Sequence, residues 1–209
     1  MTHVAPIGTC GGFVLAWRVG VELESFIFNK NITFWCYFDP PNSSWILSCI
    51  YGPPEKKNEA AFLDFLTAVG EDFVNPWLCI GDFNEIVEQS EKWGANPKRE
   101  GQMDLFRSAL EKCNLSDLGY SGAKFTWTNC QPDGNFIKVR LDRAVANTQW
   151  CGMFKDASVQ VLPSRSSDHK PLFLMLDVNL QGNGLNRKGF KFEMNWTLEE
   201  GYQQVIEEA

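Results

Sequence analysis

Histidine is scarce in this chain, and several common signals are missing altogether. There are two histidines in 209 residues, and none of the seven cysteines forms a C-x-x-C pair, which argues against a zinc site. No apolar run is long enough to span a membrane, and no basic-then-apolar segment opens the chain as a signal peptide would. These absences predict a soluble intracellular protein, cytoplasmic or nuclear, with reduced thiols.

An excess of basic residues is lacking too. Lys and Arg number 19 against 26 Asp and Glu, which gives a net charge of -7. A passive nucleic-acid-binding module would be basic, because phosphates attract Lys and Arg. An acidic enzyme can still engage phosphates through a Mg²⁺ ion held by carboxylates. The charge therefore disfavours a DNA-binding module more than it disfavours a metal-dependent phosphodiesterase.

What the chain does have is a large aromatic and aliphatic content, enough for the core of one domain. It is 44% hydrophobic and contains 16 Phe and 8 Trp. Apolar stripes at helical spacing predict one helix around 62–69 and another over 102–112. Turn-bounded apolar runs predict strands, the first four spaced as an antiparallel meander, at 12–17, 21–28, 32–37, 45–51, 77–80, 125–129, 138–142, 157–161 and 172–176.

The run Gly81-Asp82-Phe83-Asn84 is the first candidate for chemistry. It follows the apolar strand predicted at 77–80, and the ends of strands are where sheets present catalytic groups. Asp82 could act as a general base toward water, and Asn84 could donate a hydrogen bond to a phosphoryl oxygen. The alternative is an Asx turn that merely leaves the strand, which is common for D-x-N.

A second candidate is Ser167-Asp168-His169, in a polar loop before the strand predicted at 172–176. Asp168 could bind a metal or orient a group, while His169 stabilises or protonates a phosphate oxygen. The alternative is a solvated loop histidine. A Ser-His-Asp triad built from Ser167 and His169 is excluded, because nearly adjacent residues of one loop cannot adopt that geometry.

Two further positions complete the candidate site. In Arg140-Leu141-Asp142-Arg143, strand alternation predicts Arg140 and Asp142 on the same side, with Asp142 able to orient His169. The alternative is a surface ion pair of little energetic weight. Tyr51 ends a predicted strand at a turn, where its hydroxyl could reach a phosphate or could simply be half-buried.

Taken in order, these motifs resemble the endonuclease/exonuclease/phosphatase family, and more narrowly the endonuclease domain of plant non-LTR retrotransposon polyproteins. The resemblance covers roughly residues 8–178. Sugar and inositol phosphatases share the same active-site skeleton, but the motif contexts fit the retroelement group better. The resemblance is carried by Cys10-Gly11-Gly12-Phe13, Ile50-Tyr51-Gly52-Pro53-Pro54, Gly81-Asp82-Phe83-Asn84, Phe125-Thr126-Trp127-Thr128-Asn129, Arg140-Leu141-Asp142-Arg143 and Ser167-Asp168-His169-Lys170-Pro171-Leu172.

The resemblance implies a role for each candidate residue. Asp82 and Asn84 would position the attacking water and the phosphate. His169 would stabilise the phosphate or transfer a proton, with Asp142 behind it. Asp168 would lie at the metal or at the water. Tyr51 would contact the phosphate.

The resemblance also implies a fold, a cofactor and a substrate. The fold would be an α/β, four-layer α/β/β/α sandwich of two packed, mostly antiparallel sheets flanked by helices. Mg²⁺ or Mn²⁺ would be the cofactor and DNA the substrate of a monomeric enzyme. Residues 1–178 would form the partial domain. Residues 179–209 would form a linker and the start of the segment that leads to a reverse transcriptase.

One element of the family pattern is absent from the sequence. The family begins with a strand, a helix and a second strand that ends in the metal-binding Glu, but residues 1–20 contain no Asp or Glu. The chain is therefore expected to be N-terminally truncated, lacking that strand-helix-strand, and to bind its metal weakly. The alternative to a DNA endonuclease is a non-catalytic remnant of the domain.

Overall fold

The elements of the fold follow the predicted pattern of strands first and helices later. The structure is a computed structural model that describes residues 2–4, 13–15, 22–27, 32–39, 43–72, 75–131 and 135–176. Its helices are α1 (Glu59–Asp72), α2 (Glu100–Lys112) and α3 (Thr148–Met153). Its strands are β1 (Thr2–Val4), β2 (Phe13–Leu15), β3 (Glu22–Ile27), β4 (Ile32–Asp39), β5 (Ser43–Tyr51), β6 (Trp77–Asp82), β7 (Lys92–Trp93), β8 (Leu115–Asp117), β9 (Ser121–Gly122), β10 (Trp127–Thr128), β11 (Lys138–Val139), β12 (Asp142–Asn147), β13 (Ser158–Val161) and β14 (Leu172–Met175).

The largest of the described sheets has six strands in the order β3-β4-β5-β6-β12-β8. Its strands β3, β4 and β5 pair antiparallel in sequence order, which confirms the meander for the last three of the four strands predicted to form it. The first of the four, β2, pairs instead with β1 in a separate two-stranded sheet. The next strand, β6, runs parallel to β5, and α1 makes the crossover between them that a parallel pair requires. Strand β12 then pairs antiparallel with β6 and places Asp142 opposite Asp82.

The core lies on both faces of this sheet, and the alternation along β6 shows how. Trp77 and Cys79 pack on one face with α1 and α2, in a cluster that includes Leu66 and Phe106. The intervening Leu78 faces the other side. Side chains this fully buried each contribute about 1.5–3 kcal/mol through removal of apolar surface from water.

The opposite face is covered by a three-stranded sheet in the order β14-β13-β9 and by α3. Val159 of β13 and Trp150 of α3 pack there against Trp45 of β5. Two packed, mostly antiparallel sheets with flanking helices result, which confirms the expected fold class. A short sheet, β10-β11-β7, lies at the edge of the site described below. None of the described helices has the length and apolar character needed to cross a membrane.

The structure differs from the sequence prediction mainly between residues 125 and 153. The single strand predicted at 138–142 is two strands, because β11 ends at Val139 and β12 begins at Asp142 in a different sheet. Helix α3 was not predicted, although Asn147 caps it by accepting the backbone N–H of Trp150. The linker and tail predicted at 179–209 lie outside the described residues.

Candidate active site

Two glycines bring the ends of β5 and β6 close together and so define the position of Asp82. Gly81 has φ +141°, and a Cβ atom there would meet the carbonyl oxygen of Ile50 at 2.2 Å. Gly52 donates its backbone N–H to the carbonyl of Asp82 at 2.6 Å, and a Cβ on Gly52 would meet the backbone oxygen of Phe83 at 2.1 Å. Larger residues at either position would push the strands apart.

Asn84 holds the Asp82 carboxylate in place. The backbone N–H of Asn84 donates to Oδ1 of Asp82 at 2.8 Å, so the Asx turn considered from the sequence is present. Asn84 adopts φ 53°, a conformation that Asn tolerates. Its amide Nδ2 donates to Oδ2 of Asp82 at 3.0 Å and to the carbonyl of Gly52 at 2.7 Å. Donation to a phosphate, the predicted role, would require one of these two bonds to be given up.

The structure brings Asp82, Asp142 and His169 together. Asp142 lies directly across the ladder from Asp82, on the face opposite α1. Nδ1 of His169 lies 2.9 Å from Oδ2 of Asp142, within hydrogen-bond distance. Nε2 of the same ring lies 4.0 Å from Oδ2 of Asp82. That separation is too long for a direct bond and suits an oxygen atom that bridges the two groups.

The electrostatics of this cluster raise the pKa values of Asp82 and His169. Burial, followed by the negative charge of Asp142, raises the pKa of Asp82 to about 6. The hydrogen bond and charge of Asp142 raise the pKa of His169 above its ordinary value, against the opposing effect of burial. Asp82 is 9% exposed, so solvent screens these interactions weakly.

Thr126, which the sequence motifs did not single out as a site residue, frames the Asp142–His169 pair. Its buried hydroxyl oxygen accepts the backbone N–H groups of Leu141 at 3.0 Å and Asp142 at 2.9 Å. Its carbonyl accepts the backbone N–H of Lys170 at 2.7 Å, next to His169. The only sequence signal was its place in the Phe-Thr-Trp run.

Trp127, the next residue, contacts the loop that carries Asp168 and His169. It forms an isolated β-bridge with His169, and its indole Nε1–H donates to Oδ2 of Asp168 at 3.0 Å. This hydrogen bond lowers the pKa of Asp168, which is exposed. The predicted metal ligand therefore lies at the site, but its carboxylate is turned toward the indole.

The described residues do not fit a divalent metal ion on their own. No group of three or more His, Cys, Asp and Glu side chains in residues 44–70, 75–131 and 135–176 converges to hold one. The carboxylates of Asp82 and Asp168 already accept hydrogen bonds from Asn84 and Trp127. The chemistry proposed below is derived from the protein side chains alone.

The prediction that Arg140 and Asp142 share a side is wrong. Residues 140 and 141 lie between two strands, so strand alternation does not apply to them. Nη1 of Arg140 donates to Glu91 at 2.7 Å, and Nη2 of Arg143 donates to the same carboxylate at 2.8 Å. Both guanidinium groups also pair with Asp117. This is a buried network and not the exposed ion pair considered as the alternative.

Tyr51 is half-buried and ends β5 in register with Asp82 on the neighbouring strand. Its proposed contact with a phosphate stays a prediction.

A cleft of about 550 Å³ opens beside Asp142 and His169. The cleft is lined also by Ile80, Gly81, Ser164, Ser166, Ser167, Lys170, Pro171 and Leu172.

Solved structures with a similar fold include two endonucleases and a toxin. The endonuclease domain of TRAS1, a telomere-specific non-LTR retrotransposon, is 18% identical over 78% of this chain and 72% of its own, with a TM-score of 0.60. The chain therefore has the fold of this endonuclease domain, the endonuclease/exonuclease/phosphatase fold. An apurinic endonuclease of Leishmania major shares this fold at 15% identity over 69% of this chain, with a TM-score of 0.51. The β toxin of Staphylococcus aureus shares it at 14% identity over 69% of this chain, with a TM-score of 0.50.

The endonuclease/exonuclease/phosphatase fold is thus established by structure. This chain spans 54% of the Leishmania enzyme and 56% of the toxin, about half of each. No protein-family model matches the sequence, and comparison with curated proteins finds no match. At such low sequence identity the likeness establishes the fold alone and leaves the activity open.

Proposed function

We propose that this chain is a phosphodiester hydrolase of the DNA endonuclease type. The observation that carries the proposal is the arrangement of Asp82, Asp142 and His169, with 4.0 Å between Asp82 Oδ2 and His169 Nε2. An oxygen of the substrate or of the attacking water fits between these atoms. The endonuclease fold of the TRAS1 domain and of the Leishmania enzyme supports the same substrate class.

In the proposed reaction, Asp82 is the general base. It takes a proton from a water molecule whose oxygen bonds to phosphorus as the phosphorus–ester oxygen bond breaks. A carboxylate whose pKa is about 6 remains mostly ionised at pH 7 and is a stronger base than an ordinary Asp. Asn84 acts as a positioning residue, because its two hydrogen bonds fix the carboxylate.

His169 provides the positive side of the site. Asp142 fixes the ring through Nδ1, so Nε2 faces the reacting oxygens. The imidazolium form stabilises the charge that develops on a non-bridging phosphoryl oxygen, or donates its proton to the departing alkoxide. Asp142 thus acts through His169, as carboxylates do for other catalytic imidazoles.

The resemblance further implies a Mg²⁺ or Mn²⁺ cofactor and origin in a plant retroelement that also encodes a reverse transcriptase. The poor fit of the described residues to an ion supports the second candidate, a non-catalytic form of the domain. The two candidates differ in one measurable property, which is cleavage of DNA.

Nicking of supercoiled plasmid by the full chain tests the proposal. We expect cleavage in Mg²⁺ or Mn²⁺ that falls at least a hundredfold in Asp82→Ala and His169→Ala, the scale of a lost acid or base. Asp64→Ala, an exposed carboxylate on α1, is the matched control and should leave nicking unchanged. Absence of cleavage in both metals would support the non-catalytic form. Cleavage that survives both site variants would refute the assigned site, and cleavage in EDTA would refute the cofactor.

A further inference from the structure

A second cleft, of about 490 Å³, lies beside the chain segments that carry the active site. Leu141 lines it and immediately precedes Asp142 in the sequence. Ile86 lines it too, two residues after Asn84. The loop between β7 and α2, residues 95–99, forms its other side. Its volume is in the range of sites that take small organic molecules.

Basic residues form the rim of this cleft, in a protein whose net charge is -7. The four cationic side chains there are Lys56, Lys92, Lys98 and Arg99. Lys98 pairs with the buried Glu85. Among the described residues, neither Lys56 nor Arg99 has a carboxylate within 4.0 Å, and both are exposed.

The remaining lysine shows that these charges are crowded. Lys92 Nζ donates to the carbonyl of Asn96 at 2.7 Å and is half-buried. Burial, and then the charges of Lys98 and Lys56, lower the pKa of Lys92. Like charges held together repel one another, so an anion that enters the cleft relieves this repulsion.

Under the basic rim the cleft has an apolar surface. The side chains of Ile86, Val139 and Leu141 supply it. An apolar surface suits the face of a nucleobase, and a cationic rim suits a phosphate. An inorganic phosphate would use the rim alone and leave the apolar surface wet.

We propose that this cleft binds one nucleotide of a nucleic-acid strand whose scissile phosphate lies at His169. The base lies on the apolar surface, and the flanking phosphate contacts Lys56, Lys92 and Arg99. This inference rests on the proposed hydrolase function and adds to it a site, separate from the scissile phosphate, that contacts a second nucleotide of the substrate strand. A sugar phosphate or an inositol phosphate has no group that would fill it.

Binding of a fluorescent 20-nucleotide single strand to the full chain tests the proposal, with Asp82→Ala as background so that the strand stays intact. We expect the double variant Lys56→Ala/Arg99→Ala to weaken binding about tenfold at 0.1 M salt. The slope of log K against log salt should fall by about one to two, since each lost phosphate contact removes about 0.7.

The matched control is Lys112→Ala/Lys155→Ala, which removes the same two charges from exposed positions on α2 and after α3. We expect it to leave the salt slope nearly unchanged. Equal effects of the two double variants would show that only net charge matters, and would overturn the cleft as a site. If the Asp82→Ala protein without further substitutions does not bind the strand, the proposal is overturned as well.

A strand of the same length that lacks its bases tests the apolar part of the site. We expect this abasic strand to bind the Asp82→Ala protein several-fold more weakly, because it lacks the base that stacks on the apolar surface. Equal binding of the two strands would reduce the cleft to a phosphate site and refute the nucleotide assignment. Binding is measured with the Asp82→Ala protein and does not depend on cleavage. A failure to nick plasmid would therefore leave the binding result valid, and a failure to bind the strand at this cleft would leave the nicking result valid.

Discussion

The hydroxyl oxygen of Thr126 accepts the backbone N–H of Asp142 at 2.9 Å, while the carbonyl of the same threonine accepts the backbone N–H of Lys170 at 2.7 Å. One buried residue is thereby bonded to the start of β12 and to the residue after His169. The 2.9 Å contact between Asp142 and His169 depends on the relative position of these two segments. Thr126 is therefore a positioning residue for the proposed active site.

Thr126→Val keeps the shape of the side chain and removes the acceptor. The half-buried N–H groups of Leu141 and Asp142 lose their partner, so we expect the free energy of unfolding to fall by about 1–3 kcal/mol. Hydrolysis should fall with it, and the pKa of His169 should move toward its ordinary value as the imidazole drifts from Asp142. Urea denaturation and NMR titration measure the two effects.

Two companion variants separate positioning from stability. Thr126→Ser retains the acceptor oxygen and should restore the pKa of His169. Thr67→Val removes a half-buried hydroxyl that only donates to the carbonyl of Leu63 on α1, so it should leave the histidine titration unchanged. A normal titration in Thr126→Val would contradict the positioning role.

The Asp142–His169 pair predicts a specific pH titration. Asp142→Asn removes the main cause of the raised pKa of His169, so the pKa of the ring should fall below that in the parent. The chain has only two histidines, so His169→Gln assigns the relevant NMR signal by its disappearance. An unchanged titration in Asp142→Asn would contradict the contact.

The sign of the linked stability follows from the same raised pKa. A histidine whose pKa is raised in the folded state binds its proton more tightly there than in the unfolded chain. Its stabilising contribution is full below the unfolded pKa of about 6.5 and is lost as the pH rises through the folded value. The stability difference between the parent and Asp142→Asn should therefore shrink as the pH is raised above that value.

Much of this site could be anticipated from the sequence because its residues follow regular elements. Asp82 lies at the end of a fully apolar strand, and the strand alternation along β6 is strict from Trp77 to Ile80. Helix α2, predicted over 102–112, is observed at Glu100–Lys112, because its apolar spacing is that of a helix.

The contacts that were missed are long-range and come from irregular segments. Arg140 lies between two strands, so its direction is set by Glu91, 49 residues earlier in the chain. Thr126 makes its decisive bonds to residues 15 and 16 positions away. No local periodicity encodes such partners, and a buried threonine hydroxyl in a loop carries no sequence signature of its own.

Asp82→Asn should stabilise the protein while it removes the general base. Burial and the charge of Asp142 raise the pKa of Asp82 to about 6, so the ionised carboxylate disfavours the folded state at neutral pH. A tenfold change in proton affinity corresponds to about 1.4 kcal/mol. Allowing for one lost hydrogen bond from Asn84, we expect a gain of about 1–2 kcal/mol at pH 8.

The pH dependence of that gain distinguishes it from a general packing effect. An acid whose pKa is raised by folding costs stability as the pH rises from the unfolded pKa, near 4, to the folded value, near 6. The gain in the free energy of unfolding of Asp82→Asn over the parent should therefore vanish by pH 4. Thermal unfolding at pH 4 and pH 8 measures it, and a constant difference between the two pH values would contradict this account.

Removal of the charge of Glu91, in the buried network with Arg140 and Arg143, should instead destabilise the protein. Its carboxylate accepts hydrogen bonds from Arg140 and Arg143, and also from the backbone N–H of Val87 at 2.8 Å. Glu91→Gln would leave two buried guanidinium groups short of negative charge. We expect unfolding to become easier by about 3–5 kcal/mol, the usual result of breaking one side of a buried pair.

Glu100→Gln is the matched control for that variant. Glu100 pairs with Arg107 on the surface of α2, with 69% of its side chain exposed, and such pairs contribute little. Although burial raises the pKa of Glu91, the hydrogen bond and charge of Arg143 lower it overall. The stability that the Glu91 carboxylate contributes is present above about pH 4.5 and is lost as the pH falls. The free energy of unfolding of Glu91→Gln should therefore approach that of the parent in acid. Equal effects of Glu91→Gln and Glu100→Gln in urea denaturation at pH 7 would show that the buried network contributes no more to stability than the surface pair does.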